Sequence, residues 1–445
     1  MNFPQKGISE AEVFRRMEEY KADDGKWKDG RTFSLVYYAG EEITALTERA
    51  YREFFHTNAL NPFVFNSLKR FETEIISMTA NLFHGDADTV GSLTSGGSES
   101  LLMAIKTYRD EARRLKPHIK EPEMILPITA HASLEKAAHY FGVKVVHVPT
   151  DKDYKADIKA VEAAINDNTI LILGSAPQYP QGIIDPIAEL GALALKYGVR
   201  LHVDACLGGF TLPFLKEAGV DIPPFDFAVP GVTSLSADLH KYAFAAKGVS
   251  VLLYKNKDIR RFQYFSYADW PGGLFISPSA TGTRPGGAIA SAWAVLNFVG
   301  KEGYIKIHKK IKDLTERFLD RIRSFPELYI LGDPKAGIFA FGSNTLNVHA
   351  LADILEHSGW VIDQQSNPDC LHFMITPAHE NVIEPFIFDL KTAIALLKAS
   401  PEKYVGGSAA LYGMSAAIPD KVQVNEYILE IYNNFMTLGG KFNLG

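Results

Sequence analysis

Ser236-Ala237-Asp238-Leu239-His240-Lys241-Tyr242 is the stretch that settles the fold class, because of where its lysine falls. A lysine straight after a histidine means little alone, and its usual fate is a solvated surface position. This one ends a strand-like run and precedes the apolar Tyr242-Ala243-Phe244-Ala245-Ala246. An amine so placed is desolvated, which lowers its pKa and makes it a better nucleophile. Upstream, Leu201-His202-Val203-Asp204 is a second strand-like run, and it ends in a carboxylate. Further back, Thr94-Ser95-Gly96-Gly97-Ser98-Glu99-Ser100 opens a helix. An amine, a carboxylate and a helix N-terminus form the minimal set for holding pyridoxal 5′-phosphate covalently.

Outward from that stretch the text alternates. Met124-Ile125-Leu126, Val143-Lys144-Val145-Val146, Ile170-Leu171-Ile172-Leu173, Leu201-His202-Val203 and Val249-Ser250-Val251-Leu252-Leu253 read as short buried strands. Helical segments separate most of them, such as Ser133 to Phe141 and Pro186 to Tyr197. Leu101, Leu102, Ile105 and Tyr108 recur at helical spacing, giving their helix one buried face. The pattern predicts an α/β fold with a mostly parallel central sheet. Ligands of such sheets bind beyond the carboxyl ends of the strands, where Asp204 and Lys241 fall. Ser9-Glu10-Ala11-Glu12 is a helix start. A long charged helix over Gly303 to Arg323 leads into shorter strands such as Gly337-Ile338-Phe339-Ala340-Phe341. The expected division is an N-terminal helical segment (1–65), a large cofactor-binding domain (66–300) and a small C-terminal α+β domain (301–445).

Each chemical reading has a plainer rival. Gly96 and Gly97 allow close backbone approach, Ser98 caps the helix, and the N-terminal dipole suits a phosphate; a Gly-rich turn with a capping serine looks the same. Asp204 would keep a pyridine nitrogen protonated, since opposite charge favours the charged form; an acid at a strand end is also an ordinary turn residue. His131, after the 124–126 strand, either stacks on a ring or merely starts a helix.

Composition narrows the class. The 445 residues are 47% hydrophobic and 22% charged, an ordinary balance for a soluble enzyme with a large core. A net charge of -6 offers no basic face, so no nucleic acid is expected as a partner. Cys206 and Cys370 have no metal-like spacing and build no disulfide framework, so neither a metal nor an oxidising compartment is expected. A cytoplasmic location follows as the expectation. No apolar run reaches the roughly 18 residues of a membrane span, and Met1 to Gly7 lacks a signal-peptide core.

The chain resembles the sphingosine-1-phosphate lyase family, in the group II decarboxylase-like branch of the aspartate aminotransferase type I fold. The likeness runs through Gly7-Ile8-Ser9, Tyr37, Thr57-Asn58, Thr94–Ser100, His131 and Ala176-Pro177-Gln178-Tyr179-Pro180-Gln181-Gly182. It continues through His202-Val203-Asp204-Ala205-Cys206-Leu207-Gly208-Gly209-Phe210, Ser236–Gly248, Asp269-Trp270, Arg284-Pro285-Gly286-Gly287 and Leu411-Tyr412-Gly413-Met414. It implies Lys241 as the Schiff-base lysine, Asp204 under the pyridine nitrogen and His131 on the ring face. It implies Gly97, Ser98 and His240 at the cofactor phosphate. Lys247, Asn61 and Arg284 fall on the substrate side, although the Arg-Pro-Gly turn also looks architectural. Tyr37 matches a tyrosine that reaches the site from a partner subunit, in homodimers with sites at the interface. The implied reaction is retro-aldol cleavage of a phosphorylated sphingoid base to phosphoethanolamine and a fatty aldehyde. Asn61 and Gln181 stand where the family has histidines, and Leu239 where it has threonine. Those departures place substrate choice in question, since Asn is no acid or base. The membrane-spanning N-terminus of eukaryotic relatives is absent, which predicts a soluble form. Two alternatives stay open: an amino-acid decarboxylase of the same branch, and an interaction protein that kept the fold without the activity.

Overall fold

The computed structural model describes residues 2–22, 24–418 and 420–437. It opens with α1 (Glu10–Lys21), α2 (Glu41–Glu53) and α3 (Asn66–Leu82). Ser9 caps α1 by accepting the Glu12 N–H at 3.2 Å, as its sequence predicts. Strands and helices then alternate: β1 (Val90–Thr94), α4 (Gly97–Leu115), β2 (Glu123–Pro127), α5 (Ser133–Phe141), β3 (Lys144–Val148), α6 (Ile158–Ala164), β4 (Thr169–Ser175), α7 (Ile187–Tyr197), β5 (Arg200–Asp204), α8 (Leu212–Glu217) and β6 (Val232–Ala237). The chain returns through β7 (Ser250–Tyr254) and α9 (Lys257–Arg260) to a hairpin, β8 (Phe265–Tyr267) and β9 (Phe275–Ser277).

These strands, apart from the hairpin, form one seven-stranded sheet in the order β1-β7-β6-β5-β4-β2-β3. Only β7 runs against the others. Strand alternation divides the core between two faces. Met124, Leu126, Leu171 and Leu173 pack on the side of Leu101, Ile105 and Leu134 from α4 and α5. Ile125 and Ile172 point the other way, towards Ile187 and Leu190 of α7. A sheet covered on both faces leaves only strand ends open to a ligand.

The long helix α10 (Gly286–Arg323) starts earlier than its charge pattern suggests. It begins with the uncharged, buried Gly286-Gly287-Ala288-Ile289-Ala290, which carries no charged amphipathic pattern. Gly300 interrupts it with a left-handed φ of 58°. Next comes a four-stranded antiparallel sheet in the order β10-β11-β13-β12, from β10 (Leu328–Ile330), β11 (Ile338–Ser343), β12 (Asp363–Gln365) and β13 (Cys370–Met374). The helices α11 (Val348–His357) and α12 (Ile383–Ala399) flank it, and α13 (Gly407–Ala417) and α14 (Lys421–Phe435) follow. The N-terminal segment is woven into this last region. Phe33 is fully buried among Phe318, Trp360, Phe373 and Phe386. Its N–H donates to Val361 O at 3.0 Å.

Candidate active site

Four strand ends and one helix start converge on a cavity of about 400 Å³. β1 leads into α4, so Ser95, Gly96, Gly97 and Ser98 line one end. Pro177 and Tyr179 come from the loop after β4, Asp204 and Cys206 from the end of β5, and Asp238, His240 and Lys241 from the turn after β6. His131, between β2 and α5, lies at the rim. Lys241, Asp204, His131, Gly97, Ser98 and His240 therefore share one cavity, while Tyr37, Asn61, Lys247 and Arg284 are outside its lining.

The cradle differs in one detail from its sequence reading. Ser98 does not cap α4; its hydroxyl pairs with the Ser133 hydroxyl at 2.7 Å, and Gly96 holds the N-cap position without a side-chain bond. The first N–H groups of α4 are left for a ligand. A Cβ on Gly97 would stand 2.7 Å from Asp238 Oδ2 and 3.0 Å from Cys206 Sγ, so this approach requires glycine.

Asp204 is 7% exposed. Its Oδ1 accepts the Cys206 N–H at 3.0 Å. Beneath it His202 is wholly buried between the hydroxyls of Ser234 (2.7 Å) and Ser236 (3.2 Å). Burial pushes the His202 pKa down to about 4, so a neutral ring supports the carboxylate side of the site. His131 accepts the Ser133 N–H on Nδ1 at 3.1 Å, which puts the proton of a neutral ring on Nε2. His240 is mostly buried, which lowers its pKa, and its Nδ1 donates to Val249 O at 2.7 Å.

Lys241 departs from the expectation of a weakened base. Burial alone would lower its pKa, but the Asp238 carboxylate, 2.8 Å from Nζ, turns the net shift upward. Asp238 is 1% exposed, and sequence reading gave it no role. Its signal was its place three residues before the lysine, on a turn that brings the two together.

Lys247 is held just outside the cavity. Its ammonium turns inward onto Leu35 O (2.8 Å) and His240 O (3.3 Å), and lies 4.7 Å from the Tyr37 ring centre. Burial of the head group, helped by the charge of Lys241, lowers its pKa to about 8. Tyr37 packs edge-on to Tyr242 at 4.9 Å and donates to Met374 Sδ at 3.0 Å. Within its own chain it lies beside Lys247, outside the cavity lining. Two tyrosines bind the cavity to the small sheet. Tyr179 donates to Asp363 Oδ2 at 2.5 Å, and Ser34 to Asp363 Oδ1 at 3.0 Å. The Tyr242 hydroxyl meets Gly337 O and Ile375 O at 3.2 and 3.1 Å.

The remaining substrate-side expectations separate from the cavity. Arg284 is committed to Glu72 at 2.7 Å and to the carbonyls of Ala59 and Leu93, an architectural engagement. Asn61 is exposed and uses Oδ1 to accept the Phe63 N–H at 3.0 Å. Leu239 is fully buried in the core. Gln181 is buried and exchanges two 2.7 Å bonds with Gln178. The side chains that depart from the family pattern therefore do not line this cavity in the single chain.

Known proteins resemble the chain over most of its length. The family model described as the pyridoxal-dependent decarboxylase conserved domain matches residues 57–343. The sphingosine-1-phosphate lyase of Arabidopsis thaliana is 43% identical over 440 residues, covering 97% of this chain and 80% of the relative. The solved sphingosine-1-phosphate lyase of Burkholderia pseudomallei superposes with a TM-score of 0.88 at 36% identity, over 98% of this chain and 97% of that one. Glutamate decarboxylase of Lactobacillus brevis, at 20% identity and a TM-score of 0.78 over 89% and 94% of the two chains, shares the fold. By these matches the chain belongs to the sphingosine-1-phosphate lyase family of the pyridoxal-dependent decarboxylases, with their type I fold of a mostly parallel large sheet and a smaller C-terminal region.

Proposed function

We propose that this chain cleaves the C2–C3 bond of a phosphorylated sphingoid base such as sphingosine 1-phosphate, releasing phosphoethanolamine and a fatty aldehyde. The observation that carries the reading is the placement of Lys241 in one cavity with Asp204 and the open start of α4, with a second lysine, Lys247, at its edge. The site fits pyridoxal 5′-phosphate: the Gly97 cradle has no room for a Cβ, and Asp204 and Lys241 supply a buried anion and an amine. When bound, that cofactor supplies an aldehyde for covalent attachment and a ring that accepts electrons from the breaking bond. Gly97, Ser98 and His240 would hold its phosphate, Asp204 its ring nitrogen, and His131 its exposed face. Cleavage takes a proton from the C3 hydroxyl as the aldehyde carbonyl forms, and returns one to C2. We assign the returned proton to Lys241, which Asp238 keeps charged. Lys247 would hold the substrate phosphate as a point charge.

The test is to incubate the protein with pyridoxal 5′-phosphate and sphingosine 1-phosphate and to quantify phosphoethanolamine and aldehyde. Equal amounts of both are expected. No product from cofactor-loaded protein would overturn the substrate assignment, and carbon dioxide from glutamate would move the chain to the decarboxylases.

The lowered pKa of Lys247 adds a pH prediction. Below about pH 8 its amine is charged and attracts phosphate; above that the attraction fades. kcat/KM should therefore fall towards pH 9 or so through a rising KM, and Lys247→Met should remove the fall. A profile equally steep in that variant would detach Lys247 from the substrate.

We further infer a homodimer in the cytoplasm, with residues 301–445 as its small domain. Apolar side chains stand exposed on α1 (Phe14, Met17, Tyr20) and α14 (Tyr427, Ile428, Tyr432), the kind of surface that a partner covers. Both cysteines are unpaired, which fits a reducing compartment. Among the described residues, no helix is long and apolar enough to cross a membrane.

A further inference from the structure

Asp238 has a geometry that cofactor holding does not explain. It sits just past the end of β6, its N–H donating to Cys206 O at 3.3 Å. Its Oδ2 is 2.8 Å from Lys241 Nζ and 3.9 Å from His240 Nε2. Neither carboxylate oxygen finds a well-aligned hydrogen-bond donor. The nearby Ser250 hydroxyl donates to Ala237 O instead. A buried carboxylate without such donors is costly unless a cation compensates it. Other titratable groups face Lys241 as well: Asp204 and Cys206 from β5, Tyr179 from the loop after β4, and Tyr242 and Lys247 beyond the turn. Of these only Asp238 makes an ion pair with Nζ.

We propose that Asp238 is a positioning residue that parks the Lys241 side chain as a charged ammonium whenever its amine is free, before the cofactor is loaded and between turnovers. To attach to an aldehyde, Lys241 must leave this carboxylate, give up its extra proton and expel the carbonyl oxygen as water; when a substrate amine releases it, the free amine takes up a proton again and returns to Asp238. The cost is slower loading, and the gain is an acid already in place at the reacting carbon. The proposal rests on the reading of Lys241 as the cofactor anchor.

The experiment is pulse acetylation of the full cofactor-free chain with acetic anhydride across about pH 7 to 10, with Lys241 and Lys247 quantified by peptide mass spectrometry. Only the neutral amine reacts, and each pKa unit changes its fraction about tenfold. In the parent protein Lys247 should label near pH 8 and Lys241 at least about tenfold less, a contrast that needs no variant. Asp238→Asn should raise Lys241 labelling at that pH about tenfold or more and change Lys247 less. Asp238→Ser repeats the comparison if the amide variant fails to fold. Equal labelling of the two lysines in the parent, or an unchanged Lys241 profile in the variants, overturns the proposal. Failure to bind pyridoxal 5′-phosphate would refute the functional reading and leave the labelling contrast standing, so the two failures are distinguishable.

Discussion

Lys241→Ala should abolish turnover, with kcat falling by at least about 10³-fold, and should leave cofactor that gel filtration removes. Among the described residues no other amine lines the cavity, and Lys247 is turned away onto Leu35 O and His240 O. Turnover within about tenfold of the parent would refute the assignment. The same substitution carries a stability signature. Burial opposes charge on Asp238, but Lys241 and His240 outweigh it and hold its carboxyl below the usual range. A depressed carboxylate stabilises the fold above its ordinary pKa and loses that contribution as pH falls through the depressed value. Without the amine, the leading influence on Asp238 is burial, which raises its pKa. The dependence then reverses: the variant should be destabilised by roughly 3 kcal/mol near neutral pH and should recover part of that at acid pH, as the stranded carboxyl takes up a proton. Thermal melts of parent and variant at both pH values check this. An equal loss at the two pH values would mean that Asp238 is not stranded.

Asp204→Asn should lower kcat by between about 10-fold and 1000-fold while cofactor remains bound. An opposite charge beside a titrating nitrogen is worth about one to three pKa units, which sets that range. The amide is close to isosteric, and its oxygen can still accept the Cys206 N–H that Asp204 Oδ1 accepts at 3.0 Å. The change therefore isolates the charge. Steady-state rates and retained cofactor absorbance are the readouts. A variant with more than about half the parent rate would show that the carboxylate is a turn residue only.

The sequence and the structure agree where a strand is apolar and disagree where burial is polar. β2 and β4 were legible because Met124-Ile125-Leu126 and Ile170 to Leu173 are unbroken apolar runs, and β5 because Leu201 and Val203 flank a single histidine. β6, equally buried, reads Val232-Thr233-Ser234-Leu235-Ser236-Ala237. Its hydroxyls are satisfied by Tyr108 and His202, partners remote in sequence, so only its end before Lys241 reads as strand-like and its full extent does not. β1, with Gly91 and Ser92, is hidden for a similar reason. The residues around the cavity divide in the same way. Asp204 and Lys241 are readable because strand ends are where sites form. Asp238 looks like one more turn acid until its burial and its distance to Lys241 are known. Asn61, Leu239 and Gln181 stand out in the text, yet their side chains serve a turn, the core and a glutamine pair.

The bonds from Tyr179 to Asp363 and from Tyr242 to Gly337 and Ile375 also bear on how the molecule is made. A ribosome releases Lys241 and every side chain expected to face the cofactor well before it releases Asp363 and Ile375. Until those later residues emerge, the two tyrosines lack the partners that fix them, and the nascent chain presents an open-backed receptacle. Domains tend to fold in the order they are synthesised. Firm retention of the cofactor is thus a late event in biosynthesis, and a chain stalled before β12 would carry the chemistry without the wall that encloses it.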